Sequence, residues 1–251
     1  MPSLWRYLPD VLPFGDSLDV PIDLVKFINV STGAEPWFSY AFAARSRRRH
    51  ICLACRWLAR RLPRGATVFE PGCGAGVNLL WLAREGLVVK GSDIVPEALD
   101  MCRRMALYSG VPLDVWEDDG VHPRRLPDPV DAILSVNWLY HIPGASMEGF
   151  LRAWRPALKP HGLIACDVPD SSYNRVKNNQ FHTGDAHLPE ERRRPSEYRF
   201  RLSPSDMERI AAATGFRVER FALSPSGRLR RGVYLLRRNE DARAASTRAF
   251  E

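Results

Sequence analysis

The chain has 251 residues, a hydrophobic fraction of 45% and a formal net charge of +7, which suits one α/β domain with some elaboration. No apolar run reaches membrane-spanning length, and the N-terminus lacks a basic-then-apolar leader pattern. Five cysteines, an odd number in a mid-sized chain, argue against a disulfide framework and for a reducing cytoplasm.

The positive charge is the one bulk property that points toward nucleic acid. Arginine supplies nearly all of it, at Arg47–Arg49, Arg60–Arg61, Arg192–Arg194 and Arg230–Arg231. These clusters lie far apart and are not interleaved with aromatics, so they read as solvated faces and no nucleic-acid partner is expected.

Residues 1–38 are rich in proline and aromatics, with Trp5, Tyr7, Phe14, Phe27, Trp37 and Phe38. Apolar side chains this dense must bury against something, and a lid over a site is preferred to a strap on the domain edge. From Phe38 to Leu62 a stripe of Tyr40, Ala44, Ile51, Ala54, Cys55, Leu58 and Leu62 predicts a packing helix. Residues 1–62 thus form one N-terminal unit, and Pro63-Arg64-Gly65 stops it. Tyr40 belongs to its packing face, with contact to a bound carboxylate as the functional alternative. Cys52 and Cys55 are a lone C-x-x-C without a second pair at zinc spacing, so they read as helix packing and no metal is expected.

Ala66-Thr67-Val68-Phe69 is a strand leading into Glu70-Pro71-Gly72-Cys73-Gly74-Ala75-Gly76. Glycines at alternate positions allow positive φ and close approach of a ligand to the main chain. Val77, Leu80, Trp81 and Leu82 then recur at helical spacing up to Gly86, and the start of that helix directs free N–H groups at the turn. A second strand, Leu87–Ile94, ends in Asp93; Pro96 opens the next helix. A third, Leu113–Glu117, ends in Asp118-Asp119-Gly120, and a fourth, Val130–Val136, leads into Asn137-Trp138-Leu139-Tyr140-His141. A helix over Gly144–Leu158, a turn at Lys159–Gly162 and a fifth strand over Leu163–Val168 follow. Residues 169–201 are polar and aperiodic, the kind of segment that is usually functional or disordered. Ser203 caps a helix running to Thr214, Phe216–Leu223 and Val233–Leu236 are the last strands, and 239–251 is a charged tail expected to fray. The sum is a doubly wound, seven-stranded, mostly parallel sheet over 63–238, with ligands at the carboxyl ends of the strands.

A dinucleotide fingerprint would need glycine where Val77 stands. The pattern E-x-G-x-G-x-G instead resembles the first motif of the class I S-adenosylmethionine-dependent methyltransferases. The resemblance implies that Glu70, Gly72, Gly74 and Gly76 hold the amino-acid end of S-adenosylmethionine. It also implies that Asp93 takes the ribose hydroxyls, with Ile94 against the adenine. An acidic residue at the third strand tip would take the adenine amino group: Asp119 in preference to Asp118. No metal is implied.

The remaining candidates are Asn137, Trp138, Tyr140 and His141 after the fourth strand, and Asp167, Asp170, Tyr173 and Asn174 after the fifth. Asn137 could orient an amine or the sulfonium region, and Tyr173 offers a ring face and a hydroxyl. His141 reads first as a structural histidine. Trp37, Tyr40, Trp138, His141 and Asp170 are the acceptor and lid candidates. The prolines that accompany exocyclic-amine methylation of bases are missing after the fourth strand, and no cysteine nucleophile stands there for cytosine C5 chemistry. A small-molecule acceptor is the expected substrate; nothing here sets the oligomeric state. Asn137 and Tyr173 also look similar to the residues of azetidine-2-carboxylate synthases, which cyclise S-adenosylmethionine and release methylthioadenosine. A non-catalytic cofactor-binding or RNA-associated module is the third reading, and intact Glu70, Asp93 and Asp119 argue against a degenerate site.

Overall fold

The computed structural model describes residues 49–172, 180–182, 185, 187–226 and 229–240. The expected lid, with Trp37 and Tyr40, lies outside the described residues, as do Tyr173, Asn174 and the tail beyond 240.

In chain order the elements are α1 (Arg49–Arg61), β1 (Thr67–Pro71), α2 (Val77–Arg84), β2 (Val88–Asp93), α3 (Pro96–Tyr108), β3 (Asp114–Glu117) and β4 (Val130–Ser135). Then come α4 (Met147–Trp154), β5 (Leu158–Pro169), α5 (Pro204–Ala213), β6 (Phe216–Ser226) and β7 (Leu229–Arg238). The seven strands form one sheet in the order β3-β2-β1-β4-β5-β7-β6. All neighbours up to β5 run parallel, and β7 lies antiparallel to both β5 and β6. The strand order reverses between β1 and β4, and such switch points leave a crevice at the carboxyl ends.

Period-two alternation sorts the side chains between two cores. Val68, Ala132, Leu134, Leu163, Ala165, Val233 and Leu235 join Ile51, Leu53, Trp57 and Leu58 of α1 on one face. Phe69, Ile133, Ile164, Tyr234 and Leu236 face α4 and α5, among Phe150, Trp154 and Met207. There Phe69 stacks on Trp154 with centroids 5.1 Å apart. All-round burial of the central strands explains their apolar runs.

Two boundaries differ from expectation. The predicted turn at Lys159–Gly162 is absorbed into β5, where Val130 pairs with Leu158 and Ala132 with Leu163, so the extra residues form a bulge. The final strands are longer than their apolar cores, because hairpin pairing continues out to Ser226 and Leu229. The aperiodic segment is ordered in part: Asp170 bridges Leu202 and Phe181 bridges Pro195. Arg194 closes a double hydrogen bond on Asp185 at 2.8 and 2.9 Å.

Candidate functional site

The turn after β1 takes the strained route its glycines permit. Gly72, Gly74 and Gly76 have φ of 68, 53 and 74°, values L-residues rarely adopt. Gly76 is the N-cap of α2 and no side chain caps it, which leaves the positive end of the helix and its first N–H groups facing the turn. Space is as restrictive as conformation. A Cβ at Gly76 would stand 2.2 Å from the Cys102 Sγ, and one at Gly72 2.8 Å from the Trp138 ring.

Asp93 organises this turn from the tip of β2. Its Oδ2 accepts from the Gly74 amide at 2.7 Å and its Oδ1 from the Val95 amide at 3.0 Å. A carboxylate has roughly four acceptor positions, so two bonds leave capacity for a ligand. Ile94 beside it is 63% exposed, an apolar side chain presented at the strand tips.

Glu70 is 2% exposed and lies on the α1 side of the sheet. Asn78 donates to its Oε1 at 2.7 Å, whereas Oε2 is buried with no hydrogen-bond partner among the described residues. Burial pushes this carboxyl up to about 8, the Asn78 bond opposing and the Asp93 charge assisting. An orphaned buried carboxyl oxygen beside an uncapped helix start is an arrangement suited to a cationic donor.

The two acids after β3 do different work. Asp118 is buried and accepts from the amides of Asp119, Arg124 and Arg125. Burial raises its pKa, but these bonds win and hold it below the usual carboxylate range. Asp119 is half-buried, and its Oδ1 accepts from the Val121 amide at 2.7 Å.

At the tip of β4, Asn137 is one of two described non-glycine residues with positive φ, at 65°. Its amide donates to Asp167 Oδ1 at 2.6 Å. The Tyr140 hydroxyl lies 3.3 Å from Asn137 Oδ1 and 3.2 Å from Asp167 Oδ2. Trp138 spans the floor between the β1 and β3 turns, since a Cβ at Gly120 would also meet it at 2.8 Å. The tryptophan is therefore a wall of the crevice, edge-on to Phe150 at 6.1 Å. His141 sits in a short 3₁₀ turn, pairs through Nδ1 with the Glu197 carbonyl and packs on Tyr140 and Tyr198. Asp170 caps its own turn through the Ser172 amide at 2.9 Å.

The arginine clusters do not all read as expected. Arg60, Arg61 and Arg230 are exposed, but Arg231 is 6% exposed, which corrects its placement on a solvated face. Its guanidinium pairs with Asp167 at 3.2 Å and lies over the Tyr140 ring at 4.6 Å. Asn78, His50 and Cys102 also bear on the site without having been singled out; only the position of Asn78 in the first turn after the glycines could have signalled it.

Cys52 and Cys55 are buried in α1, and neither is in a disulfide among the described residues. Among the described residues no helix is long and apolar enough to cross a membrane.

Comparison with known proteins gives a consistent result. A methyltransferase-domain family model matches residues 44–220, a span that includes α1 and reaches into β6. The ubiquinone biosynthesis O-methyltransferase of Klebsiella pneumoniae is 33% identical over 101 residues, 40% of this chain and 41% of that protein. The matched stretch thus spans about two fifths of that relative's length. Among solved structures, magnesium protoporphyrin IX methyltransferase from Synechocystis, with bound SAH, superposes with a TM-score of 0.61 at 18% identity, over 87% of this chain and 100% of that one. The cyclase SpnF superposes with a TM-score of 0.57 at 14% identity, over 74% of this chain and 80% of that one; the fold by itself does not choose the chemistry. With the family model covering well over half of its length on this sheet order, the chain belongs to the class I S-adenosylmethionine-dependent methyltransferases.

Proposed function

We propose that the protein transfers a methyl group from S-adenosylmethionine to a small-molecule acceptor by in-line substitution. The observation that carries the reading is the unpartnered Glu70 Oε2, buried beside an uncapped helix start and a glycine turn. The residues present fit the cofactor: Glu70 Oε2 suits its ammonium, and the first amides of α2 suit its carboxylate. The open acceptor positions of Asp93 suit the ribose hydroxyls, and Ile94 suits a face of the adenine. Asp119 is the better partner for the adenine amino group, because backbone amides already occupy both oxygens of Asp118.

When bound, the cofactor supplies a methyl carbon made electrophilic by its sulfonium. The chain's own contribution is alignment and exclusion of water, which in favourable cases is worth roughly 7–11 kcal/mol. Asn137, at the tip of β4, stands against the sulfonium region of the cofactor and orients the acceptor there, and Trp138 closes the crevice between the β1 and β3 turns. Asp170, at the carboxyl end of β5, is a polar member of the acceptor pocket; Trp37, Tyr40 and Tyr173 lie outside the described residues.

Cyclisation of S-adenosylmethionine to azetidine-2-carboxylate is the second reading. It is favoured by the rigidly held Asn137, which stands where such cyclases are similar; nucleophile and leaving group would both come from the cofactor, so no acceptor is needed.

The deciding experiment is mass spectrometry of the nucleoside product from purified protein, S-adenosylmethionine and a panel of phenols, amines and thiols. S-adenosylhomocysteine formed only with an acceptor supports transfer. Methylthioadenosine formed without one supports cyclisation. Tight calorimetric binding with neither product identifies a non-catalytic module. No binding heat with either nucleoside, together with an unchanged Asp93→Ala variant, removes the whole reading.

A further inference from the structure

Asp167 and Arg231 are separated by 64 residues and come from opposite directions. Asp167 continues the face of β5 that carries Leu163 and Ala165, and Arg231 the face of β7 that carries Val233 and Leu235. Antiparallel pairing, with Pro169 opposite Arg231, brings both to the carboxyl end of β5, beneath the first turn of α1. The Asp167 side chain is 0% exposed and that of Arg231 7%. Two charges buried this deeply are costly to desolvate, and hydrophobic residues in their place often stabilise a fold at least as well. Stability alone is a poor explanation for them.

The described contacts of the pair lead to Asn137. Asp167 Oδ1 takes the Asn137 amide at 2.6 Å. Asp167 Oδ2 faces the Tyr140 hydroxyl at 3.2 Å, Arg231 Nη1 at 3.2 Å and His50 Nε2 at 3.6 Å. Tyr140 reaches the Asn137 side chain at 3.3 Å, and Arg231 presses on the Tyr140 and Tyr198 rings at 4.6 and 5.5 Å. The amide of Asn137 is thereby fastened to the charged pair, and its carboxamide oxygen shares the Tyr140 hydroxyl proton with Asp167 Oδ2. A left-handed asparagine persists where its surroundings over-determine it, and such residues cluster at functional sites.

We infer that Asp167 and Arg231 form a positioning pair that acts through Asn137, locking its left-handed backbone so that the carboxamide is presented to the cofactor end of the crevice. The inference rests on the proposed function only in placing Asn137 against the cofactor. His50 and Tyr140 are further struts of the same unit, anchoring it to α1 and to the turn after β4.

Two measurements test it. In the unaltered protein labelled with ¹⁵N-asparagine, the Asn137 amide proton resonates at low field and exchanges slowly, as expected for a bond to a carboxylate. An ordinary shift with fast exchange overturns the pair, whatever the variants do. Calorimetry with S-adenosylmethionine and S-adenosylhomocysteine then compares Asn137→Ala, Asp167→Asn and the two combined. Asp167→Asn/Arg231→Met serves as the form without a stranded guanidinium, and thermal melts monitor the fold. Asp167→Asn alone weakens binding about tenfold or more, the scale of a lost charged hydrogen bond. In the Asn137→Ala background the same change costs no more than about twofold, because coupled sites do not add. Losses that multiply overturn the positioning pair and leave the cofactor site intact. An Asn137→Ala variant that binds like the unaltered protein overturns the assignment of Asn137 as well, while Asp93→Ala reports separately on the cofactor reading.

Discussion

Replacing Glu70 by glutamine keeps the shape of the side chain and its acceptor for Asn78 but removes the ability to ionise. Among the described residues the groups facing it are the Asn78 amide, the Asp93 carboxylate and the Cys55 and Cys73 thiols, and none of these is a cation. Its pKa is pushed from 4.5 to about 8 by burial first of all. For an acid with a raised folded pKa, the penalty is absent below the unfolded value of 4.5, grows as pH rises through the window up to 8, and is constant above it. At about 1.4 kcal/mol per pH unit, the unliganded protein loses roughly 3 kcal/mol between pH 4.5 and pH 7 through this group alone. Glu70→Gln therefore matches the unaltered protein near pH 4.5 and exceeds it by roughly 3 kcal/mol at pH 7, some 6–12 °C in Tm. Urea titrations of both forms across pH 4.5–8.5 measure the difference. The same carboxyl should ionise when a cation docks on Oε2, so S-adenosylmethionine binding at pH 7 releases a proton and its heat varies with the ionisation enthalpy of the buffer. A stability difference that stays flat from pH 4.5 to 8 would refute the reasoning.

Three further expectations follow from the packing. Gly76→Ala meets both a φ of 74° and the Cys102 Sγ at 2.2 Å, so it destabilises by about 2–4 kcal/mol; Cys102→Ala in the same chain restores the steric part and leaves the conformational part, as a denaturant double-mutant cycle will report. Trp138→Ala opens the floor between Gly72 and Gly120, lowering stability by about 3 kcal/mol and weakening S-adenosylmethionine binding, while Trp138→Phe retains most of both in melts and calorimetry. Ser203→Ala breaks a capping box in which Ser203 and Asp206 bond each other's amides; a loss of about 1 kcal/mol is expected in urea unfolding, with nucleoside affinity unchanged because α5 lies away from the crevice.

Much of the strand-tip turn proposed to take the cofactor was legible in the chain, because its determinants are local. A glycine turn between a strand and a helix, and a carboxylate at the next strand tip, are short-range patterns that φ restrictions and helix-end chemistry make readable. Within such a pattern the different surroundings of Asp118 and Asp119 are set by tertiary structure, since the amides of Arg124 and Arg125 that bond Asp118 lie several residues downstream. His141, Asp170 and Asn137 were equal candidates by residue type. Packing separates them: His141 packs at a tilt against Tyr140 and Tyr198, Asp170 takes the Ser172 amide on one oxygen, and of the three Asn137 alone takes a left-handed backbone.

The amino-acid order by itself determined the succession of elements, the two-faced sheet and the glycine turn, since alternation, helical spacing and backbone freedom act within a few residues of one another. Only the tertiary structure decided which charges leave water. Arg230 and Arg231 are neighbours in the chain, yet one is exposed and the other buried, because successive strand residues face opposite sides. The partner that makes the burial tolerable, Asp167, arrives through the register of β7 on β5. That pairing is long-range, and no local pattern encodes it.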